Sequence, residues 1–196
     1  PRGIRDPQEW YIAHLMYPEY IKGIYALQAE VAMQNLELLR QALGNRIMVI
    51  GLSGTDFGTQ NGPFINPATY TEFFKPHHRR MIEWIHGNTN WKVLFHTCGA
   101  ITAFLDDFVE VGVDIINPVQ CSAAGMDPAT LKATWGDRLV FWGGTIDTQR
   151  VLPFGTPAEV RAQTAERLRI LGAHGGLVAG AIHNIQQNTP VENILA

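Results

Sequence analysis

The sequence predicts an α/β fold organised around a parallel sheet, and three observations predict it. Five short, continuously apolar runs recur along the chain, as strands buried on both faces require. Stretches with helical spacing of apolar residues, or with clear helix starts, separate them. Four of those starts pair a capping side chain with proline at the first helical position, at Asn66-Pro67, Asp127-Pro128, Thr156-Pro157 and Thr189-Pro190.

The elements follow in order. From Pro18 to Leu43 the apolar residues Ile21, Ile24, Leu27, Val31, Leu38 and Ala42 recur between Gln28, Glu30, Gln34, Glu37 and Arg40, which predicts one long amphipathic helix. Gly44-Asn45 stops it, and residues 46–51 follow as the first apolar run. The later runs are 92–95, 114–117, 139–142 and 176–179. Thr156 with Glu159, and Thr189 with Glu192, have capping-box spacing. An open doubly wound sheet would carry a glycine-rich phosphate turn, and neither G-x-G-x-x-G nor a Walker sequence occurs. A (β/α)8 TIM barrel needs about 250 residues, so five βα units read as the last five of eight. Residues 1–196 are then expected to be the C-terminal portion of a single barrel domain, cut from a longer protein at both ends.

The 196 residues are 46% hydrophobic and 17% charged, enough for one substantial core. A net charge of -3, with no basic cluster longer than Arg79-Arg80, argues against nucleic acid and anionic membranes as partners. Two cysteines, Cys98 and Cys121, form no disulfide framework, and free thiols favour a reducing compartment, so a cytoplasmic location is expected. No apolar run approaches the roughly 18 residues of a membrane span, and the opening Pro1-Arg2-Gly3-Ile4-Arg5-Asp6 lacks a signal-peptide core. Five βα units leave two parallel edges open, so the chain is expected to aggregate or to complete its barrel with further residues. A homo-oligomer stays open on the same ground.

Ligands of such folds meet the chain just beyond the carboxyl ends of the strands. The residues there are Ser53 to Gln60, His96-Thr97-Cys98-Gly99, Asn117 to Cys121, Gly143 to Gln149, and His183 to Gln186. His96 and Cys98, two apart at a strand end, point to the same side and form a zinc-favouring pair, the alternative being a hydrogen-bonded histidine beside a small buried thiol. A third ligand would come from another strand end, with His183 and Cys121 as candidates. Asp56 reads equally as acid, base or hydrogen-bond acceptor and as turn chemistry, and Asp147 has the same balance. Gln60, Asn117, Gln120, Gln149, Asn184 and Gln186, with Asp147, form a candidate substrate-binding set of mostly neutral groups suited to a polar substrate. His77-His78 beside Arg79-Arg80 reads as a solvated helix face, and His14, His86 and His174 stand without a constellation.

Residues 47–196 resemble the uroporphyrinogen decarboxylase superfamily. The similar stretches are Asp56-Phe57-Gly58-Thr59-Gln60 with Pro67 to Pro76, His96-Thr97-Cys98-Gly99, Gly112-Val113-Asp114, Leu131-Lys132 with Gly136-Asp137-Arg138, Gly143-Gly144-Thr145-Ile146-Asp147, and His183-Asn184-Ile185-Gln186 with Thr189 to Asn193. The resemblance implies a (β/α)8 barrel. In the zinc methyltransferase branch, which acts with corrinoid proteins, it implies that a His-x-Cys pair and a cysteine near the last strand bind zinc. His96 and Cys98 match the pair, and His183 stands at about the last position. The expectation is methyl transfer between a corrinoid on a partner protein and a small acceptor such as a thiol, with zinc on His96, Cys98 and His183, and with Asp56 and His183 as catalytic candidates. The alternatives are a cofactor-free uroporphyrinogen decarboxylase, whose histidine near the last strand His183 also matches, and a noncatalytic barrel that binds a corrinoid or tetrapyrrole. The resemblance implies that the decarboxylase's substrate-gripping Asp and Arg residues come from an N-terminal half, expected to lie outside residues 1–196.

Overall fold

The computed structural model describes residues 6–196; residues 1–5, part of the segment read for signal-peptide character, lie outside. Helix α1 (Pro7–Met16) starts where the Asp6 side chain accepts from the Gln8 amide. Tyr17 separates it from α2 (Pro18–Leu43), the single long helix that the spacing predicts. Its buried face is narrower than expected. Ile21, Ala29 and Leu36 reach the core, whereas Leu27, Val31 and Leu38 face outward at 67%, 49% and 62% exposure. The helix thus carries two apolar stripes, and the spacing argument merged them.

Five parallel strands follow in sheet order β1-β2-β3-β4-β5, so each new strand joins its predecessor on one side as a barrel wall grows. β1 (Val49–Ser53) begins three residues later than the first apolar run, because pairing with β2 (Lys92–His96) sets Val49 against Lys92. β3 (Ile115–Asn117), β4 (Val140–Trp142) and β5 (Leu177–Val178) fall inside the predicted runs. The crossovers are α3 (Pro67–Phe73) with α4 (Lys75–Asn88), then α5 (Leu105–Val111), α6 (Pro128–Trp135), and α7 (Val151–Phe154) with α8 (Pro157–Leu171); α9 (Val191–Ile194) follows β5. A parallel sheet with helical crossovers is the predicted fold class, a partial TIM-type barrel.

Three of the four cap-proline signals form. Asn66, Asp127 and Thr156 each accept from the backbone three residues on, and Thr156 with Glu159 makes a full capping box. The fourth does not: Pro190 is itself the residue before α9, and the Thr189 hydroxyl donates to Gln186 O instead. The preceding turn captures the hydroxyl that a cap would need.

The core lies between the sheet and α2 to α6, and Trp91, Tyr70, Phe57, Phe95, Phe104 and Phe108 are fully buried in it. Two histidines join it: His78, against its reading as part of a solvated helix face, and His14, which the sequence leaves without a constellation. His78 is 8% exposed, its ring 4.7 Å from that of Phe95 and its Nδ1 3.1 Å from the Tyr70 hydroxyl. Only one side of α4 meets water, and His78 is on the other with Met81, Ile82 and Ile85. His14 is 3% exposed and bonded through both ring nitrogens, to Trp10 O and to the Tyr25 hydroxyl, each at 3.0 Å. His86 pairs with Asp114 at 2.8 Å. Apart from Trp10, four residues back on the same helix, these partners come from other elements, so local spacing does not announce them.

Candidate metal centre

The carboxyl ends of the strands carry the polar groups. β2 ends at His96, and the chain continues through Thr97, Cys98 and Gly99 beside the loop that leaves β1. That loop, Asp56 to Gln60, is laced to the β2 end. Phe57 N donates to Thr97 Oγ1 and Cys98 N to Asp56 Oδ1, both at 2.9 Å; Gly58 N donates to Cys98 O at 3.2 Å and Ala100 N to Thr59 O at 2.8 Å. The backbones lie so close that a Cβ on Gly58 would sit 2.6 Å from Ala100 N. One on Gly99, whose φ is +85°, would sit 2.4 Å from the Gly58 carbonyl carbon. Glycine is required at both places.

The β3 loop tightens this clasp. Gly99 N donates to Gln120 Oε1 at 2.9 Å, Gln120 Nε2 to Gln60 Oε1 at 2.8 Å, and Gln60 Nε2 to Ser122 O. Both glutamines therefore tie the loops after β1, β2 and β3 to one another.

Within that frame, His96 Nε2 lies 3.7 Å from Cys98 Sγ. His183 arrives from the opposite end of the sheet. Pairing between the segments after β4 and β5 continues beyond the strands, with Gly143 N donating to Val178 O, Thr145 N to Gly180 O and Ile182 N to Ile146 O. Gly143 and Gly144 take φ of +96° and +84° where this segment leaves β4. The His183 ring then stands 5.8 Å from that of His96, and the ligand atoms of His96, Cys98 and His183 all lie within 4.8 Å of one another. His96 and Cys98 are half-buried and His183 is exposed, so the cluster opens to solvent on one side.

This geometry fits a metal. Tetrahedral zinc with bonds of about 2.05 Å to nitrogen and 2.3 Å to sulfur holds those atoms about 3.6 Å apart. The 3.7 Å between His96 Nε2 and Cys98 Sγ matches that spacing, and the 4.8 Å that bounds the three ligand atoms leaves about 1 Å for them to draw in around an ion. Burial, and then the nearby Asp56 carboxylate, push the Cys98 thiol up to about 12, so without a cation it keeps its proton. Cys121, the other candidate ligand, is outside the cluster, its Sγ 3.9 Å from Gly144 O and its thiol raised by burial.

The remaining candidates divide. Asp56 is bound to the Cys98 backbone and not to a turn of its own loop. Asp147 is 9% exposed and its Oδ1 accepts from Gln149 N and Arg150 N, opening α7 as a turn residue does. Asn117 bridges β2 and β4, accepting at 2.7 Å from His96 and donating at 3.1 Å to Trp142 O. Gln149, Asn184 and Gln186 are exposed, with Gln186 Nε2 donating to Asn184 O in the loop that carries His183. Thr97, Gly58 and Gly99 are marked in the sequence only as members of two strand-end stretches, and the contact between those stretches gives each its role.

Fold and site together define a class: parallel βα units of a barrel type, with a His-Cys-His cluster at the carboxyl ends of the strands. The chain belongs to the uroporphyrinogen decarboxylase (URO-D) family, whose sequence profile matches residues 55–196. Among solved structures, a methyltransferase from Methanosarcina mazei is similar in fold, with a TM-score of 0.56 and 20% identity over 75% of this chain. The chain spans 39% of the length of that protein. No curated protein matches the chain.

Proposed function

We propose that this chain is the zinc-binding C-terminal part of a corrinoid-dependent methyltransferase, with His96, Cys98 and His183 as the metal ligands. The convergence of their three ligand atoms within 4.8 Å carries the reading. Three protein donors are the number that catalytic zinc sites use, with the fourth position left to water or substrate. Bound zinc would supply the Lewis acidity that keeps an acceptor thiol ionised at neutral pH.

The residues of the chain do the rest. Asp56 holds the Cys98 backbone, and its carboxylate would offset part of the charge of a bound divalent cation. The glycine-to-glycine contact and the Gln60–Gln120 bridge fix the loop so that Cys98 faces His96. His183 sits on the exposed side, where acceptor and methyl donor would enter. Asn184, Gln186 and Gln149, exposed at the same strand ends, offer neutral hydrogen bonds to a polar substrate. The methyl donor would be a corrinoid on a partner protein, docked against the strand ends. The name of the Methanosarcina protein supports the methyltransferase part of this reading.

Equilibrating the purified protein with zinc and measuring bound metal tests it. About one zinc per chain is expected, falling to background in Cys98→Ala. No bound zinc in either protein overturns the reading.

The family match favours one second reading, a cofactor-free tetrapyrrole decarboxylase in which His183 and desolvation stabilise developing charge. Release of CO2 from uroporphyrinogen, insensitive to Cys98→Ala, would decide for it.

A further inference from the structure

The Asn117 side chain was expected to face a substrate, yet both ends of its amide are engaged inside the protein. β2 and β3 pair with His96 opposite Asn117, and β3 and β4 pair one residue earlier, with Ile116 opposite Phe141. His96, Asn117 and Trp142 therefore stand level at three adjacent strand ends. Asn117 lies 3.1 Å from the Trp142 carbonyl oxygen and 2.7 Å from His96 Nδ1.

Hydrogen-bond chemistry orients this chain. A carbonyl oxygen only accepts, so the group that faces Trp142 O is the Asn117 amide NH2. The Asn117 oxygen then faces His96. It too only accepts, so Nδ1 of His96 carries the hydrogen. A neutral imidazole protonated at Nδ1 has its lone pair on Nε2, the nitrogen that lies 3.7 Å from Cys98 Sγ. Reversing the amide would set its oxygen against Trp142 O, two acceptors in contact.

We infer that Asn117 is a positioning residue that locks His96 in the Nδ1-protonated tautomer and aims its Nε2 lone pair at the space between Cys98 and His183. The β4 backbone is part of this device, because Trp142 O fixes which way the amide points. The usefulness of that aim rests on the zinc reading above; the tautomer itself does not. Removal of such an outer partner of a metal-bound histidine lowers metal affinity about 10- to 100-fold.

Two measurements separate the inference from the reading beneath it. In metal-free protein, long-range ¹H–¹⁵N NMR identifies the protonated nitrogen of His96, with Nδ1–H expected in the wild type and lost preference in Asn117→Leu. Nε2–H in the wild type overturns the inference without any variant. Zinc affinity, from competition with a chromophoric chelator, is expected to fall about 10- to 100-fold in Asn117→Leu. Asn117→Leu within twofold of the wild type, while Cys98→Ala binds no zinc, overturns the inference and leaves the metal site standing. If the wild type binds no zinc, the metal reading fails and the His96 tautomer alone decides for or against Asn117.

Discussion

His96 and His183 at the strand ends, and His14 and His78 beneath α1 to α4, are four histidines of one chain under opposite conditions. His14 has both ring nitrogens matched to protein partners and is packed among Trp10, Tyr25, Phe73 and Phe74. His78 is held by Tyr70 and by aromatic rings, and burial, followed by its neighbour His77, pushes its pKa down to about 3. His96 has one nitrogen matched, and the other converges with a thiol and a second imidazole. A histidine becomes a ligand where its fold leaves a nitrogen aimed at other donors. It becomes core where every nitrogen is matched or walled by apolar atoms.

Zinc binding breaks or sharpens this contrast most directly. Cys98→Ala should reduce bound zinc from about one per chain to background, whereas His78→Phe should leave it unchanged. Metal analysis after gel filtration distinguishes the two, and equal retention in both variants would dissolve the contrast.

Gly99→Ala should have the next largest effect. The added Cβ meets the Gly58 carbonyl carbon at 2.4 Å, and φ is +85°, so neither loop can yield without breaking the bonds that hold Cys98. A loss of about 3 kcal/mol or more in urea unfolding is expected, together with loss of zinc binding. A mutant as stable as the wild type would show that the two loops move apart freely.

Why the sequence disclosed one histidine pair and concealed the other follows from the range of the interactions involved. His96 and Cys98 are neighbours on one strand end, so period-two geometry predicts their common side without a tertiary model. His183 is legible because a barrel brings all strand ends to one mouth, a rule of topology independent of particular contacts. Apart from Trp10, on the same helix, the partners of His78 and His14 are Phe95 on β2, Tyr70 on α3 and Tyr25 on α2, brought by packing of separate elements, and no spacing encodes that. The same limit explains Asn117. Its residue type marked it as a hydrogen-bonding group, but only the register of three strands reveals that both amide ends are spent internally. In the fold, strands and three caps were legible because their signals are local; the second stripe of α2 was not, because either stripe alone satisfies helical periodicity.

Acid should expose the buried histidine. His78 titrates near 3 in the folded protein and near 6.5 when unfolded, so below pH 6.5 the unfolded chain binds the extra proton. Its contribution to stability is complete above about pH 6.5 and declines by about 1.4 kcal/mol per pH unit down to about pH 3. At pH 5 the loss is about 2 kcal/mol. Replacing it with Phe should cost about 1 kcal/mol at pH 7, through the lost Tyr70 bond, and should win that back by pH 5. Parallel pH dependence in the two proteins, measured by urea unfolding between pH 5 and 7, would place His78 outside the core.

Tyr25→Phe should have the smallest effect, and its size measures how dry that region is. Trp10 O only accepts, so His14 Nδ1 carries the hydrogen; burial lowers the pKa of His14, which keeps the ring neutral and makes Nε2 the acceptor of the Tyr25 hydroxyl. Removing the hydroxyl orphans that acceptor. In a dry core the penalty would reach about 3 kcal/mol. Tyr25, however, lines an open cavity of about 210 Å³ together with Ser53, Thr55, His77 and His78. His14 itself lines a second cavity of about 270 Å³ with Tyr11, Leu15 and Asn66, so water can approach the freed nitrogen and about 1 kcal/mol is expected, with zinc binding unaffected. A loss near 3 kcal/mol in urea unfolding would mean that water does not reach His14, and the contrast between a sealed aromatic core and an accessible strand-end cluster would become sharper than the cavities suggest.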